Sequence, residues 1–176
     1  MNLLALALVI ALLPACAVTV GAVSPVPNVL LPRSSQSLAL RIAPEVPDAF
    51  EVPDDDPSFQ LKVTSWRESM TIAFRNGFAR YFVGTQPQSD LVLVVLHAEP
   101  HLVNAGRSVG GSLAHVQLRF QAELLDTNQH VLKTWADTVV SRNTFTIGNY
   151  AGNALGSAVE AMYEEIANGM PTTATR

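Results

Sequence analysis

Hydrophobic and polar positions follow three rhythms along this chain. From Leu3 to Leu13 there is none: about eleven apolar residues stand in a row, too few for the roughly 20 that a membrane-spanning helix needs but ample for the apolar region of an export signal. A period of two then appears. Leu38, Leu40 and Ile42 alternate with Ala39 and Arg41, and Phe59, Leu61 and Val63 with Gln60 and Lys62, each predicting a half-buried strand. Asp90 to Ala98 is a continuous apolar strand of the kind buried on both faces or central in a sheet. The cleanest alternation follows: Ala114, Val116, Leu118, Phe120, Ala122 and Leu124 point one way, and His115, Gln117, Arg119, Gln121 and Glu123 the other. Val131 to Arg142, rich in Thr and Val around Trp135, predicts a return strand whose core-facing parity the pattern leaves open.

The third rhythm is helical. Trp66, Met70, Ala73, Phe74, Gly77, Phe78 and Tyr81 form an apolar stripe, predicting a helix from Trp66 to about Phe82. Ser65-Trp66-Arg67-Glu68 has the spacing of a capping box at its start, and Gly84 and Pro87 stop it. Leu155, Val159, Met162 and Ile166 mark a last helix, with Glu160, Glu164 and Glu165 off the stripe and Asn168-Gly169 and Pro171 as its stop. Gly148, Gly152 and Gly156, four apart, let that helix approach a neighbour closely. The predicted order is β-β-α-β-β-β-α, an α+β fold with an antiparallel-dominated sheet and two helices on one face.

Seven of the eleven prolines lie between Pro25 and Pro57, so Ala17 to Ser35 reads as an extended tether ahead of the first strand. The acidic run Glu45, Asp48, Glu51, Asp54, Asp55 and Asp56 lacks the spacing of a calcium loop and reads as a solvated loop. Asn104 to Ser112, with three glycines, reads as a flexible hairpin loop. The domain plan is a signal at 1–15, a tether at 16–35, one α+β domain at 36–170 and a frayed tail at 171–176.

The formal net charge of −4 with scattered basic residues argues against nucleic acid and against a polybasic grip on lipid. Cys16, the sole cysteine, cannot form an internal disulfide and follows directly on the apolar run. Leu13-Pro14-Ala15-Cys16 resembles the bacterial lipobox. Pro14 and the absence of Lys or Arg before Leu3 depart from that pattern. Cleavage after Ala17, or an uncleaved anchor reaching Val23, are the competing readings. Lipobox processing implies a diacylglyceryl thioether and an N-acyl chain on Cys16, a stable anchor where a single chain is not. Ala17, rather than Asp, after the cysteine favours the outer membrane facing the periplasm over the inner membrane.

His97, Glu99 and His101 share strand parity, and His115 is able to join them from the next strand, a set of plausible zinc ligands. Pro100 is expected to end the ladder before His101, which speaks against a metal site. The sequence carries no Gly-x-Ser-x-Gly, His-Glu-x-x-His, phosphate-binding or dinucleotide motif, so no enzyme activity and no cofactor are expected. The element order, Ser65-Trp66-Arg67-Glu68 opening the first helix, and the late small-residue helix resemble the YajG-type family of bacterial lipoproteins. In outline they are also similar to the auxiliary lipoproteins of lipid-transporting ABC systems. That resemblance implies an α+β sandwich and offers no catalytic residue. The expectation is a membrane-anchored, non-enzymatic accessory or adaptor in envelope assembly or transport. His115, Gln117, Arg119, Gln121, Glu123 and the 104–112 loop are its candidate surface for an envelope protein. The alternative is a carrier of lipid or a small apolar ligand, suggested by the aromatic helix stripe.

Overall fold

The structure, a computed structural model, describes residues 16–52, 59–84, 89–108, 111–146 and 150–171. Its strands are β1 (Cys16–Val20), β2 (Leu38–Ile42), β3 (Phe50–Val52), β4 (Phe59–Val63), β5 (Leu91–Ser108), β6 (Gly111–Asp126), β7 (Val131–Val140) and β8 (Phe145–Thr146). Its helices are α1 (Trp66–Phe78) and α2 (Ala151–Asn168). The α+β class holds, with three strands more than the alternation predicts. The strands form two sheets: β1-β4-β3, and β2-β5-β6-β7 with β8 also on β6. Both are mixed, since β1 runs parallel to β4 and β2 parallel to β5, while the remaining pairs are antiparallel. β3 and β8, three and two residues long, are too short to carry a periodicity, and β1 falls in the segment whose composition reads as a tether.

The β5–β6 hairpin is the spine of the larger sheet. Val116, Leu118, Phe120 and Ala122 are wholly buried beneath the helices, while Arg119 and Gln121 on the other face are exposed. This is the predicted parity. Trp135 of β7 also faces the core. Contrary to expectation, Pro100 does not end β5: it stands in register with Leu118, and the strand continues to Ser108. The reason is that β2 accompanies β5 only as far as Val95, so beyond it the far edge of β5 bears no ladder for a missing N–H to break.

One core joins both sheets and both helices. The α1 stripe fills it: Trp66, Met70, Ala73 and Phe78 are at most 1% exposed, and Phe78 meets Tyr163 of α2 edge-on. The Trp66 indole N–H donates to Ala98 O, 3.1 Å away, on the free edge of β5. The capping box does not form. Ser65 sits at φ 56° with no side-chain cap, and the first turn is held from a distance: Asp48 accepts from Arg67 N through its carboxylate and from Trp66 N through its carbonyl. Arg67 in turn donates to the carbonyls of Pro44 and Val46. The helix also stops at Phe78 rather than Phe82. The α2 stop is likewise not a left-handed glycine cap, since Gly169 has φ −91°. Glycine is needed there because a β-carbon would collide with the Trp135 indole.

Residues 21–34 do not stand free as a tether. They lie extended in the groove between α1 and α2. Pro25, Pro27 and Val29 are buried, while Ser24, Val26, Asn28 and Leu30 are exposed. The N–H groups of Val26 and Asn28 donate to the carboxylates of Glu160 and Glu164, both at 2.9 Å. On the α1 side, Val23 N donates to Ser69 Oγ, Asn76 Nδ2 to Pro25 O, and Arg80 and the Tyr81 hydroxyl to Val29 O. The glycines of α2 make room for this strap rather than for another helix: a β-carbon on Gly152 or Gly156 would meet Val20, Val23 or Pro25 at 3.5–3.9 Å. Gly148 lies outside the described residues.

Since those distances are ordinary contact, Gly156→Ala should leave stability unchanged or raise it by up to about 1 kcal/mol through helix propensity. Gly156→Leu should displace the strap and cost about 1–3 kcal/mol, both read by urea denaturation. A second prediction concerns acid. Ser37 N and Oγ both donate to Asp90 Oδ2 at 2.8 Å, tying the start of β2 to that of β5. The backbone bond first, then the hydroxyl, holds the Asp90 carboxyl below its ordinary 3.8. A depressed folded pKa gives stability that is present above the unfolded value and lost as pH falls through the folded one. The melting-temperature gap between the parent and Asp90→Asn should therefore be full from neutral pH down to the ordinary carboxylate range and close only as pH falls below that range through the depressed folded pKa.

Candidate functional site

The helix-free face of the larger sheet gathers most of the polar residues singled out in the sequence. Register places His97 opposite Gln121, Glu99 opposite Arg119, His101 opposite Gln117 and Val103 opposite His115. A bulge between Val95 and His97 keeps all of them on one side. Glu123 stands on the same side, opposite Val94. Thr134, Ala136, Thr138 and Val140 of β7 extend this surface and are exposed. Near β2 it turns apolar, with Ala39, Val94 and Leu125 buried there outside the main core, and Arg41 reaching Gln129.

Glu99 sits between two histidines, its Oε2 3.3 Å from His97 Nε2 and 3.4 Å from His101 Nε2. The second approach lacks hydrogen-bond alignment, for His101 Nε2 is buried without a partner among the described residues. His115 does not join them: its Nδ1 lies 3.1 Å from Ser141 O. No three His, Cys, Asp or Glu side chains among the described residues converge to hold a metal ion. Beside His97 and Glu99 lies a shallow groove of about 250 Å³ that also contacts Glu45, Phe50 and Glu51. No nucleophile is paired with a base among these side chains.

Cys16 opens β1, paired with Phe59 in the parallel ladder to β4. Residues 1–15, expected to be a signal, the Asp54–Asp56 run and the tail from Thr172 lie outside the described residues, as do the side chains of the 104–112 loop, whose backbone is strand as far as Ser108 and again from Gly111. No described helix is long and apolar enough to cross a membrane.

Two features escaped the sequence reading. The strap had a signal: Pro25-Val26-Pro27-Asn28 sets donors and prolines in alternation. The other is a pocket of about 340 Å³ at the far end of the helices, walled by Leu31, Gln36, Phe82, Leu91, Leu124 and Met170. Its residues, Leu132 of β7 included, come from six separate segments with no shared motif.

No family model and no curated protein matches this chain. Solved structures do. A Xanthomonas campestris protein of the DUF330 family aligns with a TM-score of 0.55 at 18% identity, over 85% of this chain and 92% of its own. A minor lipoprotein of Acinetobacter baumannii gives 0.45 at 10% identity, over 78% and 91%. Uncharacterised lipoprotein B of Nitrosomonas europaea gives 0.41 at 10%, over 77% and 84%. The chain thus shares the α+β fold of the DUF330 protein.

Substitutions should separate the two faces of β6. Phe120→Ala, beneath the helices, should cost about 3–5 kcal/mol in chemical denaturation. Arg119→Ala, on the helix-free face, should stay within about 0.5 kcal/mol of the parent.

Proposed function

We propose that this protein is a bacterial envelope lipoprotein, anchored through lipid on Cys16, that serves as a non-enzymatic accessory or adaptor in envelope assembly or transport. Apolar Leu3–Leu13 followed by Leu13-Pro14-Ala15-Cys16 supports the anchor, and Ala17 favours the outer membrane facing the periplasm. The observation that carries the reading is the apolar run ending in Leu13-Pro14-Ala15-Cys16 at the sole cysteine of the sequence, with Cys16 only seven residues ahead of the bonded segment that starts at Val23. A lipidated Cys16 would have no free linker, because Val23 to Val29 is bonded to both helices. The domain would rest directly on the bilayer and present one fixed orientation to a partner.

The helix-free sheet face supplies the docking surface, with His115, Gln117, Arg119, Gln121 and Glu123 at its centre and His97 and Glu99 beside them. Mixed charge suits recognition of a protein surface by complementarity. The aromatic stripe that suggested a carrier is core, with Phe74 and Phe78 buried.

Fractionation and crosslinking test the proposal. The parent should sediment with outer membranes and Cys16→Ser should appear in the soluble fraction. Crosslinking in intact cells should recover a partner protein that is lost in Arg119→Glu/Gln121→Lys. Membrane sedimentation unaltered by Cys16→Ser would refute the anchor, and recovery of the protein alone under every condition would refute the adaptor role.

A further inference from the structure

The pocket at the far end of the helices is built where several elements end together. Leu31 and Gln36 come from the end of the strap and the turn after it, Phe82 from just beyond α1, Leu91 and Leu124 from the β5–β6 ladder, and Met170 from just beyond α2. Its volume of about 340 Å³ lies within the range of small-molecule sites, about 300–1,000 Å³. At roughly 30 Å³ per water-sized group, it accommodates on the order of ten non-hydrogen atoms.

Three observations specify the ligand. The wall is chiefly aliphatic and contains no ionisable side chain, so a charged ligand would enter without a counter-charge. Leu30 is 79% exposed and Leu132 49% exposed, so two leucines face solvent at its edge. Gln36 Oε1 is buried and has no hydrogen-bond partner among the described residues. The backbone of Gln36 is fixed on both sides, its N–H donating to Ser34 Oγ and its carbonyl accepting from Val83 N. A buried, positioned acceptor without a donor is costly unless something supplies one.

We infer that this pocket binds a neutral medium-length acyl or alkyl chain bearing a hydroxyl or amide group, which donates to Gln36 Oε1 while the chain lies against Leu91, Leu124 and Phe82. The site is independent of the sheet face proposed for partner docking. Because the strap supplies part of its wall, ligand binding and strap docking favour each other.

The purified full chain is titrated with 1-decanol and with its methyl ether, which keeps the chain but cannot donate, and followed by NMR. Saturable shifts at the Gln36 side-chain amide, Leu91 and Met170 are expected, with the alcohol about 2- to 10-fold tighter than the ether, the worth of one neutral hydrogen bond. Gln36→Leu should erase that difference while still binding both. Ala167→Leu, which adds bulk to the pocket wall from α2, should abolish binding while amide shifts of the β5–β6 ladder far from the pocket stay those of the parent fold. No shifts up to the solubility of decanol, shifts confined to other residues, or undiminished binding by Ala167→Leu would overturn the site. Equal affinity for alcohol and ether in the parent would overturn the role of Gln36.

Discussion

The match in pitch between an extended segment and a helix governs this fold. Two residues of an extended, proline-rich chain advance about 6 Å, and four residues of α-helix advance the same. Val26 and Asn28 are two apart, and Glu160 and Glu164 are four apart, so each N–H meets its own carboxylate. Pro25 precedes the first of these donors and Pro27 falls between the two, so the prolines alternate with the N–H groups that meet α2. The buried side chains Pro25, Pro27 and Val29 fill the groove between the helices, and full burial of Val29 alone is worth about 1.5–3 kcal/mol. Gly77 and Gly156 lower the helix surfaces to admit the strap, and the strap ends by walling the pocket.

A good part of this was legible from residue order, for physical reasons. Alternation over 114–124 is long enough to fix both strand and face, because a one-residue slip would bury Arg119 and expose Phe120. The stripe of α1 was legible because six apolar residues, Trp66, Met70, Ala73, Phe74, Gly77 and Phe78, share one side. What failed were local signals read without tertiary context. Ser65-Trp66-Arg67-Glu68 has the spacing of a capping box, yet Asp48 reaches α1 first. Gly169 stands at a helix stop, yet its reason is the Trp135 ring. Proline content argued against helix in the 17–35 segment, but composition cannot say whether such a segment floats or docks.

The candidate site was legible only in part. Shared parity of His97, Glu99 and His101 follows from strand geometry, and they do lie together. Expecting His115 among them required a register that the sequence does not contain, and the observed one places it opposite Val103. The Gln36 pocket could not be read at all, because its walls are chain ends brought together only by folding. What emerges is a chain in which residues 21–34 are a structural member, joining β1 to the pocket beyond the C-terminal ends of the helices.

Hydrogen exchange at the amides of Val23, Val26 and Asn28 in the native protein tests this most directly. If the strap is integral, these three amides are protected well above random-coil rates and lose protection together in Glu160→Ala/Glu164→Ala. Exchange at random-coil rates in the parent, with α1 and α2 still protected, would show that the segment floats free and would contradict the account.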